Sequence, residues 1–298
     1  MQIFNAKPLL NVSHELAEGP LWNQTDNSLY WVNINQGELW RYSPSSEEKQ
    51  CWNLEEPIGT FGFCKDGRII AALKSGIYFL SLTENGVIKQ KIIDPEPNTP
   101  NRFNDGKCAP DGRFLAGTMQ SSDTNGTYPG GFYSIDPNGN CQTLLSSVQI
   151  SNGLCFNYNG STLYYIDSPT QAVTAYDYNL ENGKLSNPRQ VVTIPKEDGM
   201  PDGMTIDAKG NLWIALFGGG CVVCYDPKTG KQLAKVNVPA KKVTCCTFGG
   251  KNYEILYITT AWENSSTEEK SADPFGGNLF AADVSAHGLP GYLFGADK

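Results

Sequence analysis

The chain has 298 residues, 40% hydrophobic and 18% charged, with 31 glycines, 18 prolines and 11% aromatics. That is enough apolar content for a core, a β-leaning and turn-rich composition, and too little charge for a disordered chain or a long helical array. A net charge of −8 disfavours a nucleic-acid partner, and with only His14 and His287 present a His-rich zinc site or a His-based triad is ruled against.

Residues 1–10 show neither a basic stretch nor an apolar run of the kind that opens a secretory signal, and no apolar run approaches the roughly 20 residues of a membrane helix. No membrane partner is expected. Residues 2–10 read as a strand-like segment. From there short β-type runs recur, and helical periodicity is nearly absent. Each unit opens on a polar residue and a glycine, continues as an apolar strand, turns, and runs into an aromatic-rich strand.

The first unit is Glu18-Gly-Pro-Leu-Trp22 with its turn at Asp26-Asn27. Phe61-Gly-Phe-Cys64 turns at Asp66-Gly67, and Asp105-Gly-Lys-Cys108 at Asp111-Gly112. Asn152-Gly-Leu-Cys-Phe156 turns at Asn159-Gly160, and Asp202-Gly-Met-Thr-Ile206 at Lys209-Gly210. Thr244-Cys-Cys-Thr-Phe248, with Gly249-Gly250, is a degenerate sixth.

The aligned positions 19, 62, 106, 153, 203 and 245 are separated by steps of 43, 44, 47, 50 and 42 residues. A period of about 40–50 with four short strands per unit is the signature of a propeller. The expectation is an all-β fold: a single domain over residues 1–298, a six-bladed β-propeller with four antiparallel strands per blade. The last unit runs out near Ala282, so pairing of residues 2–10 with it would close the ring and cover an edge.

The nine cysteines are odd in number and irregular in spacing, which points to reduced thiols and a cytoplasmic location. Cys221-Val-Val-Cys224 lies in a strand-like run, where positions i and i+3 face opposite ways, so it reads as core thiols rather than a chelate.

In a propeller the first strand of each blade lines the central channel. The residue before each aligned glycine therefore lies near one channel mouth. These are Glu18, Phe61, Asp105, Asn152, Asp202 and Thr244, with Asn104 one place earlier in the third unit. Any one of these pairs alone is ordinary turn chemistry. Acids and amides at one shared phase, without histidine, point instead to a hard, oxygen-donor cation site. Such donors suit Ca, Mg or Mn; Zn or Fe(II) fits three ligands completed by water.

Glu18-Gly-Pro-Leu-Trp22, Arg102-Phe-Asn-Asp-Gly-Lys107, Gly117-Thr-Met119, Ser151-Asn-Gly153, Tyr165-Ile-Asp-Ser168 and Pro201-Asp-Gly203 together resemble the senescence-marker-protein/gluconolactonase family, which includes regucalcin, sugar lactone lactonases and luciferin-regenerating enzyme. The resemblance runs in order from about Glu18 to Ala282. It implies a six-bladed propeller with one catalytic divalent cation, calcium first among the candidates. It implies metal ligation by Glu18, Asn152 and Asp202, with Asp202 also the general base. It implies that Arg102 and Asn104 contact substrate oxygens. Sugar-lactonase relatives often carry a Glu shortly after the Gly-Thr-Met run, where Ser122 stands here; that departure leaves the sugar open.

A lactone is an activated ester whose hydrolysis needs a polarised carbonyl, a water and a base. Arg102 would grip hydroxyl oxygens through its rigid fork. Asp105 is either an outer group of the site or an organiser of its turn; Asp167 and Asp207 are expected to cap turns. The polar loops 120–130 and 263–276 are either covers of the channel mouth or surface excursions. Three functions stay open: a metal-dependent sugar lactonase, a hydrolase of other esters or organophosphates on the same site, and a non-enzymatic calcium-binding or scaffolding propeller. For the first, the partner is a small sugar lactone, and no obligate protein partner is evident.

Overall fold

The computed structural model describes residues 1–84, 86–120 and 128–295. Two short strands come first, β1 (Gln2–Asn5) and β2 (Lys7–Leu10). The first unit folds as β3 (Ala17–Asn23), β4 (Ser28–Asn33), β5 (Glu38–Tyr42) and β6 (Lys49–Asn53). The second is β7 (Ile58–Phe63), β8 (Ile69–Leu73), β9 (Gly76–Thr83) and β10 (Gly86–Ile93). The third is β11 (Arg102–Cys108), β12 (Phe114–Met119), β13 (Gly130–Ile135) and β14 (Cys141–Val148). The fourth is β15 (Ser151–Phe156), β16 (Thr162–Asp167), β17 (Ala172–Tyr178) and β18 (Leu185–Thr193). Each of these four units is a separate, four-stranded antiparallel sheet.

The remaining strands form one nine-stranded sheet, which corrects the expectation of six separate blades. It contains β19 (Met200–Ile206), β20 (Leu212–Phe217), β21 (Cys221–Asp226), β22 (Lys231–Asn237), β23 (Lys242–Gly249), β24 (Ile255–Ala261) and β25 (Leu279–Asp283), together with β1 and β2. The fifth and sixth repeat units are fused because Phe217 at the end of β20 pairs with Lys242 at the start of β23, so the ladder runs on without a break. The Lys242 ammonium also lies 5.7 Å from the centre of the Phe217 ring. The fold is thus propeller-like, with four discrete blades and a nearly closed larger sheet. Residues 2–10 make two strands rather than one: β1 pairs in parallel with β22, and β2 antiparallel with β25.

The repeated glycine has a steric cause. A Cβ on Gly153 would lie 2.5 Å from the Asp202 carbonyl oxygen, and one on Gly203 would lie 2.2 Å from Cys245 Sγ. Successive inner strands press together there, and only glycine lets them. At the same phase the ladders slip: register breaks between Glu18 and Leu21, Phe103 and Gly106, Asn152 and Leu154, Pro201 and Met204, and Val243 and Cys245. Such bulges re-aim side chains out of the pleat.

The core is distributed. Five apolar clusters each join neighbouring units, with Phe61 between the first and second, Phe114 between the second and third, and Phe132 between the third and fourth. Each fully buried Phe contributes about 1.5–3 kcal/mol relative to exposure. Cys221 and Cys224 fall in two different clusters, on opposite faces of β21, and all nine cysteines are free thiols.

Asp167 accepts from the Gln149 and Ile150 amides, and Asp207 from Lys209 and Asn211, so both organise turns. Among the described residues no helix is long and apolar enough to cross a membrane.

Candidate functional site

The bulged inner strands converge on a common cavity of about 190 Å³. Glu18 comes from β3, Arg102 and Asn104 from β11, Asn152 from β15 and Asp202 from β19; all five sequence-selected residues line it, with Ser168, Phe217 and Glu263. A larger hollow of about 380 Å³ lies between Lys241–Lys242 and a short helix, α1 (Thr267–Ala272), but none of its titratable groups is buried. Chemistry therefore favours the smaller cavity.

Glu18, Asn104, Asn152 and Asp202 are all buried. Asn152 Nδ2 donates to Ser168 Oγ at 2.9 Å, and Ser168 Oγ donates onward to the Pro201 carbonyl at 2.7 Å. Because the serine proton is spent on Pro201, the hydroxyl can only accept from the amide, which fixes its orientation. Asn152 Oδ1 is consequently left buried with no hydrogen-bond partner among the described residues. A buried, unpaired carbonyl oxygen costs about 1–3 kcal/mol unless something completes it.

The carboxylates are frustrated in the same way. Burial, and then the charge of Asp105, push the Glu18 carboxyl up to about 8, against the pull of the Gly19 amide, which donates to Oε2 at 2.7 Å. Asp202 is held well above the usual carboxylate range by burial and by Glu18 and Asp105, with the Asn152 side chain acting the other way. Two buried carboxylates sharing a cavity do not both ionise without a counter-charge.

Asp105 lies just outside the cavity lining. Burial raises its carboxyl, Lys107 and the Gly106 amide oppose that, and Oδ1 accepts from Gly106 at 2.6 Å. It organises its own turn, and its charge raises the Glu18 carboxyl.

Arg102 is the cavity's cation. Burial weakens its hold on the proton, and Glu263, Glu18 and Asp202 strengthen it. Its Nη1 donates to Asn104 Oδ1 at 2.7 Å and to the Phe103 carbonyl at 3.1 Å. Asn104 Nδ2 donates to the Ser151 carbonyl at 2.8 Å, so the Asn104 amide is committed at both ends and aims the guanidinium.

The family described as SMP-30/Gluconolactonase/LRE-like region matches residues 16–262. The chain belongs to this family. As a member of the SMP-30/gluconolactonase family it is 37% identical over 285 residues to the Bacillus subtilis protein named "Putative sugar lactone lactonase YvrE", covering 95% of this chain and 96% of that one. It is 34% identical over 295 residues to regucalcin of Danio rerio, covering 99% of both. Its fold superposes on that of a calcium-binding protein, regucalcin, from Agrobacterium tumefaciens with a TM-score of 0.92 at 25% identity, covering 99% of this chain and 100% of the other. Luciferin-regenerating enzyme gives 0.89 at 28% identity, with 97% and 98% covered.

The donors of this family member can be tested against a divalent cation. Among the described residues no three His, Cys, Asp or Glu side chains gather tightly enough to hold an ion by themselves. The set here is two carboxylates and one amide, all oxygen, and the unpartnered Asn152 Oδ1 is the acceptor that such an ion would complete. The residues present fit a hard cation.

Sequence reasoning missed two contributors. Ser168 follows directly on β16, inside a segment selected only for its likeness to relatives, and its role appears once the Asn152–Ser168–Pro201 relay is seen. Glu263 opens the loop after β24, where no repeat phase marks it. Of the two loops singled out, residues 121–127 lie outside the described residues; of residues 263–276, only Glu263 and Asn264 line the cavity.

Proposed function

We propose that this protein is a divalent-metal-dependent hydrolase that opens a sugar lactone to the free sugar acid. The observation that carries the reading is the buried, unpartnered Asn152 Oδ1, in one cavity with the buried carboxyls of Glu18 and Asp202. Glu18, Asn152 and Asp202 would hold the cation, with calcium first because the structurally similar Agrobacterium tumefaciens regucalcin is a calcium-binding protein; Zn, Mg, Mn and Fe(II) accept the same donors. A divalent cation there supplies Lewis-acid polarisation of the carbonyl and a lowered pKa for water.

The chain's own groups do the rest. Asp202 takes a proton as the water oxygen bonds to the carbonyl carbon. The ring C–O bond then breaks, and the leaving ring oxygen receives a proton, giving a hydroxy acid. Arg102, aimed by Asn104, donates to substrate hydroxyl oxygens. The names of the lactonase and regucalcin relatives agree with this chemistry, and nine free thiols agree with a cytoplasmic setting.

The test is lactone hydrolysis followed with a pH indicator, on metal-stripped protein and after adding each metal. Glucono-1,5-lactone should be opened faster than its spontaneous hydrolysis only when metal is returned, and Asp202→Asn should lower kcat by about 10²–10⁴-fold. Equal rates with and without chelator, or turnover of simple esters and organophosphates but not of lactones, would refute the reading.

A further inference from the structure

Among the described residues, Glu263 is the one carboxylate of the cavity outside the metal-holding set, and several hydrogen bonds hold it in place. Its backbone N–H donates to the Glu15 carbonyl at 2.9 Å, beside the parallel bond from Trp262. Its own carbonyl accepts from Lys242 Nζ at 2.5 Å, and that ammonium also reaches Ser265 Oγ at 2.9 Å. The side chain is steered as well: Asn35 Nδ2 donates to Oε1 at 2.8 Å. Oε2 has no hydrogen-bond partner among the described residues, although Glu263 lines the cavity and is only partly buried. A loop residue tied at both main-chain groups and at one carboxylate oxygen is preorganised, and its free oxygen is left for something that enters the cavity.

Arg102 faces the same space as a pure donor, and Glu263 as a pure acceptor. A hydroxyl group is both donor and acceptor, so a polyol arm satisfies the two at once. A carboxylate or phosphate on that arm would suit Arg102 but meet the negative charge of Glu263, in a cavity that already holds Glu18 and Asp202. From this geometry we infer that Glu263 and Arg102 together form a hydroxyl clamp that selects uncharged, polyhydroxylated lactones and rejects anionic ones, with Glu263 the specificity-determining residue. The inference rests on the lactonase reading above.

The test compares wild type with Glu263→Gln, which keeps the side-chain shape and an oxygen for Asn35 but removes the charge. The substrates are glucono-1,5-lactone, its 6-phosphate, and δ-valerolactone, which has no hydroxyls. Losing a hydrogen bond to a charged group should lower kcat/KM on gluconolactone by about 10- to 100-fold, mainly through KM. The loss on δ-valerolactone should be at least about tenfold smaller, and the wild-type preference for the neutral over the phosphorylated lactone should shrink. Calorimetry on calcium-loaded protein with D-glucitol should show the same weakening without any turnover. Equal losses on the two uncharged lactones would overturn the inference. So would a wild-type preference for the phosphorylated lactone, or a calcium affinity in Glu263→Gln as weak as in Asp202→Asn, which would make Glu263 a cation ligand. If wild type opens no lactone, the lactonase reading fails, and D-glucitol binding still decides Glu263: weakened binding supports the clamp, unchanged binding overturns it.

Discussion

Replacing Glu18 with Gln should make the metal-free protein more stable and the calcium-loaded protein relatively less so. The Glu18 carboxyl titrates near 8 in the fold against 4.5 for the ordinary group, pushed up by burial and then by Asp105. The native state therefore binds more protons than the unfolded chain between those values, and stability must fall as pH rises from 4.5 to 8. At about 1.4 kcal/mol per pH unit, some 3 kcal/mol is lost by pH 7. Gln cannot ionise, keeps an acceptor for the Gly19 amide, and removes one of the charges that raises Asp202. At about 1.6 °C per kcal/mol for a chain of this size, the midpoint should rise by about 5 °C.

The assay is thermal unfolding of both proteins in chelator from pH 5 to 8, then with calcium added. The curves should nearly coincide at pH 5 and separate by pH 7.5, with the variant on top. Calcium at a hundredfold excess over Kd should add about 2.7 kcal/mol to wild type and little to the variant. A variant less stable than wild type in chelator at pH 7.5, or a gap that ignores pH, would refute the electrostatic account of the cavity.

Burial drops the His14 imidazole to about 4, with Glu38 resisting and Lys49 assisting, and its Nε2 has no partner among the described residues. The unfolded state takes up the proton first, so stability should fall by about 2–3 kcal/mol as pH drops from 6.5 to 4; His14→Phe should flatten that part of a denaturant-midpoint profile, and an unchanged slope would count against it. Removing residues 1–10 uncovers the outer edges of β22 and β25 together, and light scattering should report aggregation at concentrations where the full chain stays dispersed. A truncated chain of equal stability and solubility would show that those edges need no cover.

Much of this was legible in the sequence because one steric fact repeats. The inner strands touch at a glycine, as Gly153 meets Asp202 and Gly203 meets Cys245. That contact fixes the phase at which Asn152 and Asp202 must appear, whereas Gly19, beside Glu18, is set by its left-handed backbone (φ 53°) and not by a close neighbour. The opposite-facing positions of Cys221 and Cys224 follow from strand alternation alone. The number of separate sheets was not legible. The pairing of Phe217 with Lys242 is a single ladder contact at the ends of two strands, and it leaves no hydrophobic pattern. Nor did the pattern show that residues 2–10 divide at Ala6 to serve two edges. Glu263 escaped because its place depends on Glu15, Asn35 and Lys242, which are remote in sequence and share no motif.

The attachment of β1 and β2 also sets a timetable for biosynthesis. Their partners, Ala234–Asn237 and Leu279–Ala281, leave the ribosome more than 200 residues later. At about 5–20 residues per second, the first ten residues wait on the order of 15–60 s for both edges. During that interval the four discrete sheets can form one after another from local hairpins, each within its own stretch of chain. The nine-stranded sheet cannot be completed until its last strand emerges. The nascent chain thus spends most of the synthesis of residues 1–283 as an open arc with β1 and β2 unpaired.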